Sequence, residues 1–179
     1  ECDNEDLVSY LYKAVDAADL PCMADVEGSM LYFCEQTVKE RKVVLTGEGA
    51  DEIFGGCPWF YKEESFARRA FPWSFDMKTR QTLLLDEWIE RLPMEEYARE
   101  AYEKTIADTP VLEGEKDREK RRREIAYLNL KWFMATLLDR MDRTSRYCNL
   151  DARVPFADER IVQYLWNVPW DMKYKNHFK

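Results

Sequence analysis

Residues 43–56 decide the fold, and they read VVLTGEGADEIFGG. Residues 43–45 are a short, uninterrupted apolar run, which is typical of a strand buried on both faces in a parallel sheet. The glycine-punctuated residues 46–52 predict a loop that leads from this strand into a helix. Gly55-Gly56 is expected to end that helix quickly.

Apolar residues recur at helical spacing in most of the remaining chain. We expect further helices at residues 4–18, 29–40, 62–70, 79–92, 95–108, 117–138 and 158–168. Because a lone strand cannot form a sheet, either the chain contains strands that its pattern does not reveal or the neighbouring strands lie on chain outside this sequence, and we expect the latter. The predicted fold is α/β and predominantly helical.

The composition argues against several classes of protein. With 46% hydrophobic and 14% aromatic residues among 179, the chain is too apolar to be disordered and long enough to bury a core. Its 27 Lys and Arg against 35 Asp and Glu give a net charge of −8, which argues against general affinity for nucleic acid. The one histidine, His177, is isolated, which argues against imidazole-based triads and metal sites.

Three features predict a cytoplasmic protein with no membrane partner. No apolar run approaches the roughly 20 residues that a membrane span needs. The acidic N-terminus has the wrong sign for a signal or transit peptide. The five cysteines include no C-x-x-C pair, which favours reduced thiols over disulfides or a zinc site.

The loop at residues 46–52 is the first candidate site. Gly47 and Gly49 permit positive φ and a close approach of the backbone to an anion. If the helix begins early, its three acids crowd one face and suggest Mg²⁺ ligation or base chemistry. They are Glu48, Asp51 and Glu52. The alternative is that acids in a first helical turn only complement the helix dipole, and the spacing leaves both interpretations open.

The second candidate site is at residues 138–158. Acids and bases alternate over residues 138–145, and such a pattern is usually a solvated lattice of ion pairs. Arg153 precedes the rigid apolar tripeptide 154–156, which suits bidentate pairing with a carboxylate or phosphate.

Two other clusters receive structural interpretations. The charge run at residues 113–124 contains interleaved acids and no aromatic, so it predicts a solvated helix face rather than a nucleic-acid patch. The aromatic residues at 58–61 and 71–73 are expected in the core or in a subunit contact.

Two of these segments resemble the synthetase domain of glutamine-dependent asparagine synthetases. Residues 43–56 resemble that family's V-V-L-S-G-E-G-x-D-E-x-F-G-G segment. Residues 142–158 resemble its D-[KR]-M-S-M-A-x-x-L-E-x-R-V-P-F-L-D segment, and residues 167–173 are similar to the stretch after it. Two long motifs in the right order are far more specific than either alone, and the resemblance spans the whole chain.

The resemblance implies an ATP-pyrophosphatase fold, in which a parallel sheet is flanked by helices. It implies an ATP-dependent carbon–nitrogen ligase that converts aspartate to β-aspartyl-AMP and amidates it. ATP and Mg²⁺ are the implied cofactors, and aspartate, ATP and ammonia are the implied partners. The ammonia comes from a glutaminase domain of the same parent chain, and a homodimer is left open.

Site residues follow from the same resemblance. Thr46 and Gly47 are expected to contact the nucleotide. Glu48 and Asp51 are the implied catalytic residues, and Asp51 is also the implied ligand of Mg²⁺-pyrophosphate. The charged residues expected to receive aspartate or to line its site are Glu52, Asp142, Arg143 and Arg153.

Departures from the family pattern limit the expectation. The S-G-G-x-D-S phosphate loop, the glutaminase domain and a basic motif are missing, so residues 1–179 are expected to be part of a synthetase domain that is inactive alone. Thr46 replaces the usual Ser and keeps the hydroxyl. Positions that depart from the small residues of the second motif are Thr144, Arg146, Tyr147 and Cys148. Two alternatives remain: a related amide-forming ligase, such as a β-lactam synthetase, and a non-catalytic helical interaction module.

Overall fold

A computed structural model describes residues 4–20, 24–74 and 76–174. The helices, in chain order, are α1 (Asn4–Ala18), α2 (Ala24–Thr37), α3 (Ala50–Phe54), α4 (Glu63–Ala67), α5 (Met77–Gln81), α6 (Asp86–Arg91), α7 (Met94–Ala107), α8 (Asp117–Leu128), α9 (Met134–Tyr147), α10 (Glu159–Trp166) and α11 (Trp170–Lys173). The strands are β1 (Val43–Leu45) and β2 (Asp151–Arg153). His177, for which we predicted no site, lies outside the described residues.

The chain divides into two compact units. The first contains residues 1–50 and 134–167, and the second contains residues 51–133 and 168–179. None of the described helices is long and apolar enough to cross a membrane.

The first unit is built on a parallel pair of strands. Val43 of β1 is level with Asp151 of β2, and Leu45 is level with Arg153. Helix α1 packs against α2, and both pack against α9. The core of this unit comprises Tyr10, Ala17, Leu31, Cys34, Cys148 and Leu150.

The predicted environment of β1 is wrong in two respects. Its partner strand is present in the chain, because residues 151–153 form β2. Their sequence, Asp-Ala-Arg, contains no apolar run that would indicate a strand. Only one face of β1 is covered by the described residues: Val44 packs on the core, whereas Val43 and Leu45 are 47% and 74% exposed.

Several helix boundaries also differ from those predicted. Helix α2 ends at Thr37 and contains Gly28, whereas the predicted helix began after that glycine. The predicted helix at 79–92 is divided between α5 and α6. At the break the Thr82 hydroxyl donates to the Thr79 carbonyl oxygen (2.7 Å), and α6 begins only after Leu85.

The long helix predicted at 117–138 is interrupted. Helix α8 ends at Leu128, a π-helical turn occupies Asn129–Phe133, and α9 then continues to Tyr147. Asn129 is fully buried within the π-helical turn. A π-helical turn is a change in the backbone hydrogen bonds, from i→i+4 to i→i+5. The spacing of apolar residues alone does not reveal it.

The second unit has an aromatic core, as predicted for residues 58–61 and 71–73. Phe60 is 1% exposed and packs with Cys57 and Ile125. The Trp59 ring meets the Phe133 ring edge to face, with centroids 4.8 Å apart.

The charge run at 113–124 is not simply a solvated face, which corrects the prediction. Arg121 and Glu124 of α8 are each 7% exposed, and Arg121 Nη1 lies 2.8 Å from Glu124 Oε2. The remaining guanidinium donors reach the carbonyl oxygens of residues 65, 66 and 68 and the Tyr102 hydroxyl. Arg121 can be buried here because every N–H donor of its guanidinium has an acceptor.

Candidate functional site

The carboxyl ends of β1 and β2 meet at one edge of the first unit. The Thr46 N–H donates to the Arg153 carbonyl oxygen (2.9 Å) and extends the ladder beyond both strands. The two sequence motifs, about a hundred residues apart, therefore leave the sheet side by side. In open α/β sheets this edge is where ligands bind.

A tight turn follows β1. The Ala50 N–H donates to the Gly47 carbonyl oxygen (3.2 Å), and Gly49 has φ +85°. A Cβ atom at Gly49 would lie 2.9 Å from Met134 Cε and 3.6 Å from Phe156 Cβ. The predicted positive φ is confirmed at Gly49, but φ at Gly47 is not positive. A Cβ at Gly47 would meet no atom within 4 Å, so the turn is open on that side.

Glu48 lies in this turn and is paired with Arg140 of α9. Arg140 Nη2 lies 3.1 Å from Glu48 Oε1, and the two side chains are 19% and 17% exposed. Among the described residues, the buried Arg140 Nε and Thr46 Oγ1 have no hydrogen-bond partner. The motifs do not single out Arg140, because it lies within a helix of alternating charges.

The three acids of the loop do not share one helix face, which corrects that expectation. Helix α3 begins at Ala50, so Glu48 precedes it. Asp51 is exposed, whereas Glu52 is only 6% exposed. The Asp51 carboxylate lies against Gly56, where a Cβ atom would collide with it, and the Gly56 N–H donates to the Asp51 carbonyl oxygen (2.7 Å).

Glu52 is enclosed by side chains of the second unit. The Cys57 thiol donates to Glu52 Oε1 (3.4 Å), and Asn129 Nδ2 donates to the Glu52 carbonyl oxygen (3.5 Å). Burial, together with the nearby Glu52 carboxylate, raises the pKa of Cys57 well above its usual range. The Cys57 thiol therefore packs in the core of the second unit and donates to Glu52.

The charged residues of the second motif form local ion pairs. Arg143 Nε pairs with Asp139 Oδ1 at 3.0 Å, and its Nη1 donates to the Ala18 carbonyl oxygen at 2.9 Å. Arg143 therefore ties α9 to the end of α1. Asp142 accepts from Arg146 Nε at 2.5 Å, and both side chains are more than half exposed.

Arg153 already has a carboxylate partner. Its Nε and Nη2 donate to the same oxygen of Asp151, Oδ2, at 3.1 and 2.9 Å. Both side chains lie on the exposed side of β2. Asp151 and Asp142 also line a polar cavity of about 350 Å³, together with Lys42 and Arg146.

The comparisons with known proteins agree with the two motifs. Residues 1–179 match the family model described as asparagine synthase. A relative from Bacillus subtilis (strain 168), asparagine synthetase [glutamine-hydrolyzing] 3, is 50% identical over 169 residues. The aligned region covers 94% of this chain and 27% of the relative, so the chain spans about a quarter of the relative's length.

Proposed function

The chain belongs to the asparagine synthase family, and we propose that it forms part of the ATP-using domain of an asparagine-forming carbon–nitrogen ligase. The observation that carries the proposal is the hydrogen bond between Thr46 and Arg153, which joins residues 46–52 and 142–158 at one edge of a parallel sheet. Because the chain spans 27% of its relative, the activity is proposed for the parent protein.

The proposed reaction has two steps. An oxygen of the aspartate side-chain carboxylate attacks the α-phosphorus of ATP, and pyrophosphate leaves. Ammonia then attacks the acyl carbon of β-aspartyl-AMP, loses a proton as the amide forms, and displaces AMP. Both steps depend on orientation and on stabilisation of developing charge, and neither requires a histidine.

The nucleotide is proposed to bind at the open side of the turn. The Thr46 hydroxyl is buried without a partner among the described residues, so it is available to a ligand oxygen. The space above Gly47 lets a phosphate approach the backbone. Glu48 is proposed to act at the acyl centre, where it assists either the formation of β-aspartyl-AMP or the attack by ammonia, whose proton it then accepts.

Asp51 suits a magnesium ion that arrives with the nucleotide. The described residues contain no group of three His, Cys, Asp or Glu side chains that could hold a metal ion. Mg²⁺ is usually bound by one or two carboxylates together with substrate phosphates, so the single exposed carboxylate of Asp51 fits that role. When bound, Mg²⁺ supplies charge neutralisation on the leaving pyrophosphate.

The remaining charged residues are proposed to shape the aspartate site. Asp142 and Arg153 are exposed, and modest rearrangement of surface ion pairs costs little. Arg143 braces α9 against α1, so we assign it a bracing part rather than direct contact with substrate. The buried Glu52 is proposed to hold the start of α3 and thereby the neighbouring Asp51.

The test uses the full-length parent protein with MgATP, aspartate and ammonia, and follows pyrophosphate release. We expect Glu48→Ala and Asp51→Ala each to abolish release without unfolding the protein. Arg160→Met is the control, because Arg160 is 89% exposed and pairs only at the surface with Asp158. Release at the wild-type rate from both site variants would overturn the assignment.

A further inference from the structure

Arg140 differs from the other arginines of α9 in what it binds. Arg143 and Arg146 each pair with an acid four residues earlier on the same helix. Arg140 instead reaches Glu48, which is 92 residues away in the turn after β1. It is therefore the guanidinium of α9 that connects the helix directly to the candidate catalytic turn.

The Arg140–Glu48 pair is shielded from solvent. Less than one fifth of the surface of each side chain is exposed, whereas both side chains of the Arg146–Asp142 pair are more than half exposed. An exposed pair is screened and mobile, but a shielded pair at 3.1 Å restricts both side chains. The contact therefore fixes the direction of the Glu48 carboxylate.

The contact engages only one oxygen of that carboxylate. Arg140 Nη2 binds Oε1, and none of the described residues donates a hydrogen bond to Oε2. The backbone beside it is also fixed, because Gly49 lies close against Met134 and Phe156. Oε2 is thus held in place and remains available to a reacting group.

A purely stabilising arginine would be expected to satisfy all its buried donors. Arg140 Nε is buried without a hydrogen-bond partner among the described residues, and such a group costs free energy. The arrangement orients the Glu48 carboxylate and leaves one donor of Arg140 without a hydrogen bond to the described residues.

We propose that Arg140 is a positioning residue that holds Glu48 in the orientation needed for the amide-forming reaction. This inference rests on the proposed function, because it requires Glu48 to act on the substrate. Arg140 does not itself contact the reacting atoms. Its loss misdirects the carboxylate, and a misplacement of about 1 Å can lower a rate roughly 10²-fold.

The experiment measures steady-state kinetics of the full-length parent protein with MgATP, aspartate and ammonia. Arg140→Met should lower kcat roughly 10²-fold, whereas KM for ATP and aspartate should change less than about threefold. Arg140→Lys, which restores a cation, should recover at least about tenfold of that loss. Arg160→Met is the matched control and should retain the wild-type kcat.

Glu48→Gln separates the two claims. Wild-type kcat in Arg140→Met together with an inactive Glu48→Gln overturns the positioning role and leaves the proposed function standing. Wild-type kcat in Glu48→Gln overturns the proposed role of Glu48 and the inference with it. If Arg140→Met does not fold, Arg140→Gln is measured in its place, and the same kcat and KM outcomes decide.

Discussion

Replacing Arg121 by Met is expected to destabilise the second unit far more than the same replacement of a surface arginine. Arg121 donates to the carbonyl oxygens of Ser65, Phe66 and Arg68, at 3.3, 3.2 and 2.6 Å. It also donates to the Tyr102 hydroxyl at 3.0 Å and pairs with Glu124 at 2.8 Å, and both members of the pair are 7% exposed. The substitution therefore removes five hydrogen bonds at once and leaves a buried carboxylate without its close partner.

The expected loss follows from the buried pair. Removing one partner of a buried ion pair costs about 3–5 kcal/mol, because the charge that remains is desolvated and uncompensated. Arg69 lies 3.8 Å from Glu124 but is 73% exposed, so it offsets only a small part of that cost. Since about 1.4 kcal/mol corresponds to a factor of ten, the protection of the backbone amides of this unit against hydrogen exchange should fall by about two to three and a half orders of magnitude.

Amide hydrogen exchange is the assay, because it reports on the second unit separately from the first. The amides of Ile125 and Leu128, whose side chains are fully buried, should exchange faster by that factor in Arg121→Met. Arg118→Met is the control on the same helix, since Arg118 pairs with Glu63 at the surface, and it should change these rates less than about fivefold. Equal effects of the two substitutions would refute the reasoning.

Two further predictions concern the turn and its surroundings. Gly56→Ala places a Cβ against the Asp51 carboxylate and should lower pyrophosphate release roughly 10²-fold. Gly28→Ala is its control, because a Cβ at this position of α2 makes only an ordinary contact with Tyr10 of α1, and the substitution should raise the free energy of unfolding by about 0.5–1 kcal/mol. Retained release in Gly56→Ala would contradict the role of that close approach. Burial, with Arg123 nearby, lowers the pKa of Lys173 from 10.5 to about 8. The unfolded chain then binds more protons at this group between about pH 8 and 10.5, so the contribution of Lys173 to the free energy of unfolding should rise with pH across that window. The free energy of unfolding of the wild type minus that of Lys173→Met, from urea titrations at about pH 8 and 10.5, should therefore increase with pH; a difference that stays constant would contradict this prediction.

The sequence predicted the parts of the fold that depend on local pattern. The strand at 43–45, the glycine turn after it and the helices at 4–18 and 95–108 match the structure within about a residue. Strand β2 was missed because its two charged residues lie on the exposed face, and pairing with β1 rather than apolar content makes it a strand. Strand pairing is a long-range property that a local window does not contain.

The candidate site was predicted in part for the same reason. The motifs identified the turn and the second segment, and the structure joins Thr46 to Arg153. They did not identify Arg140 or Arg121, whose importance depends on burial and on partners 92 and more than 50 residues away. In both helices the sequence shows alternating charges, which predict surface, and only tertiary packing distinguishes the buried guanidinium from its exposed neighbours.

The most direct measurement of the central claim follows oxygen from aspartate to the nucleotide. The full-length parent protein is given MgATP, ammonia and aspartate labelled with ¹⁸O in its side-chain carboxylate. The masses of the products are then measured by mass spectrometry. If the carboxylate attacks the α-phosphorus, the bridging oxygen leaves with AMP when ammonia displaces it. The account predicts AMP that carries one ¹⁸O atom, formed together with pyrophosphate and asparagine. Unlabelled AMP, or ADP with the label in inorganic phosphate, would contradict it.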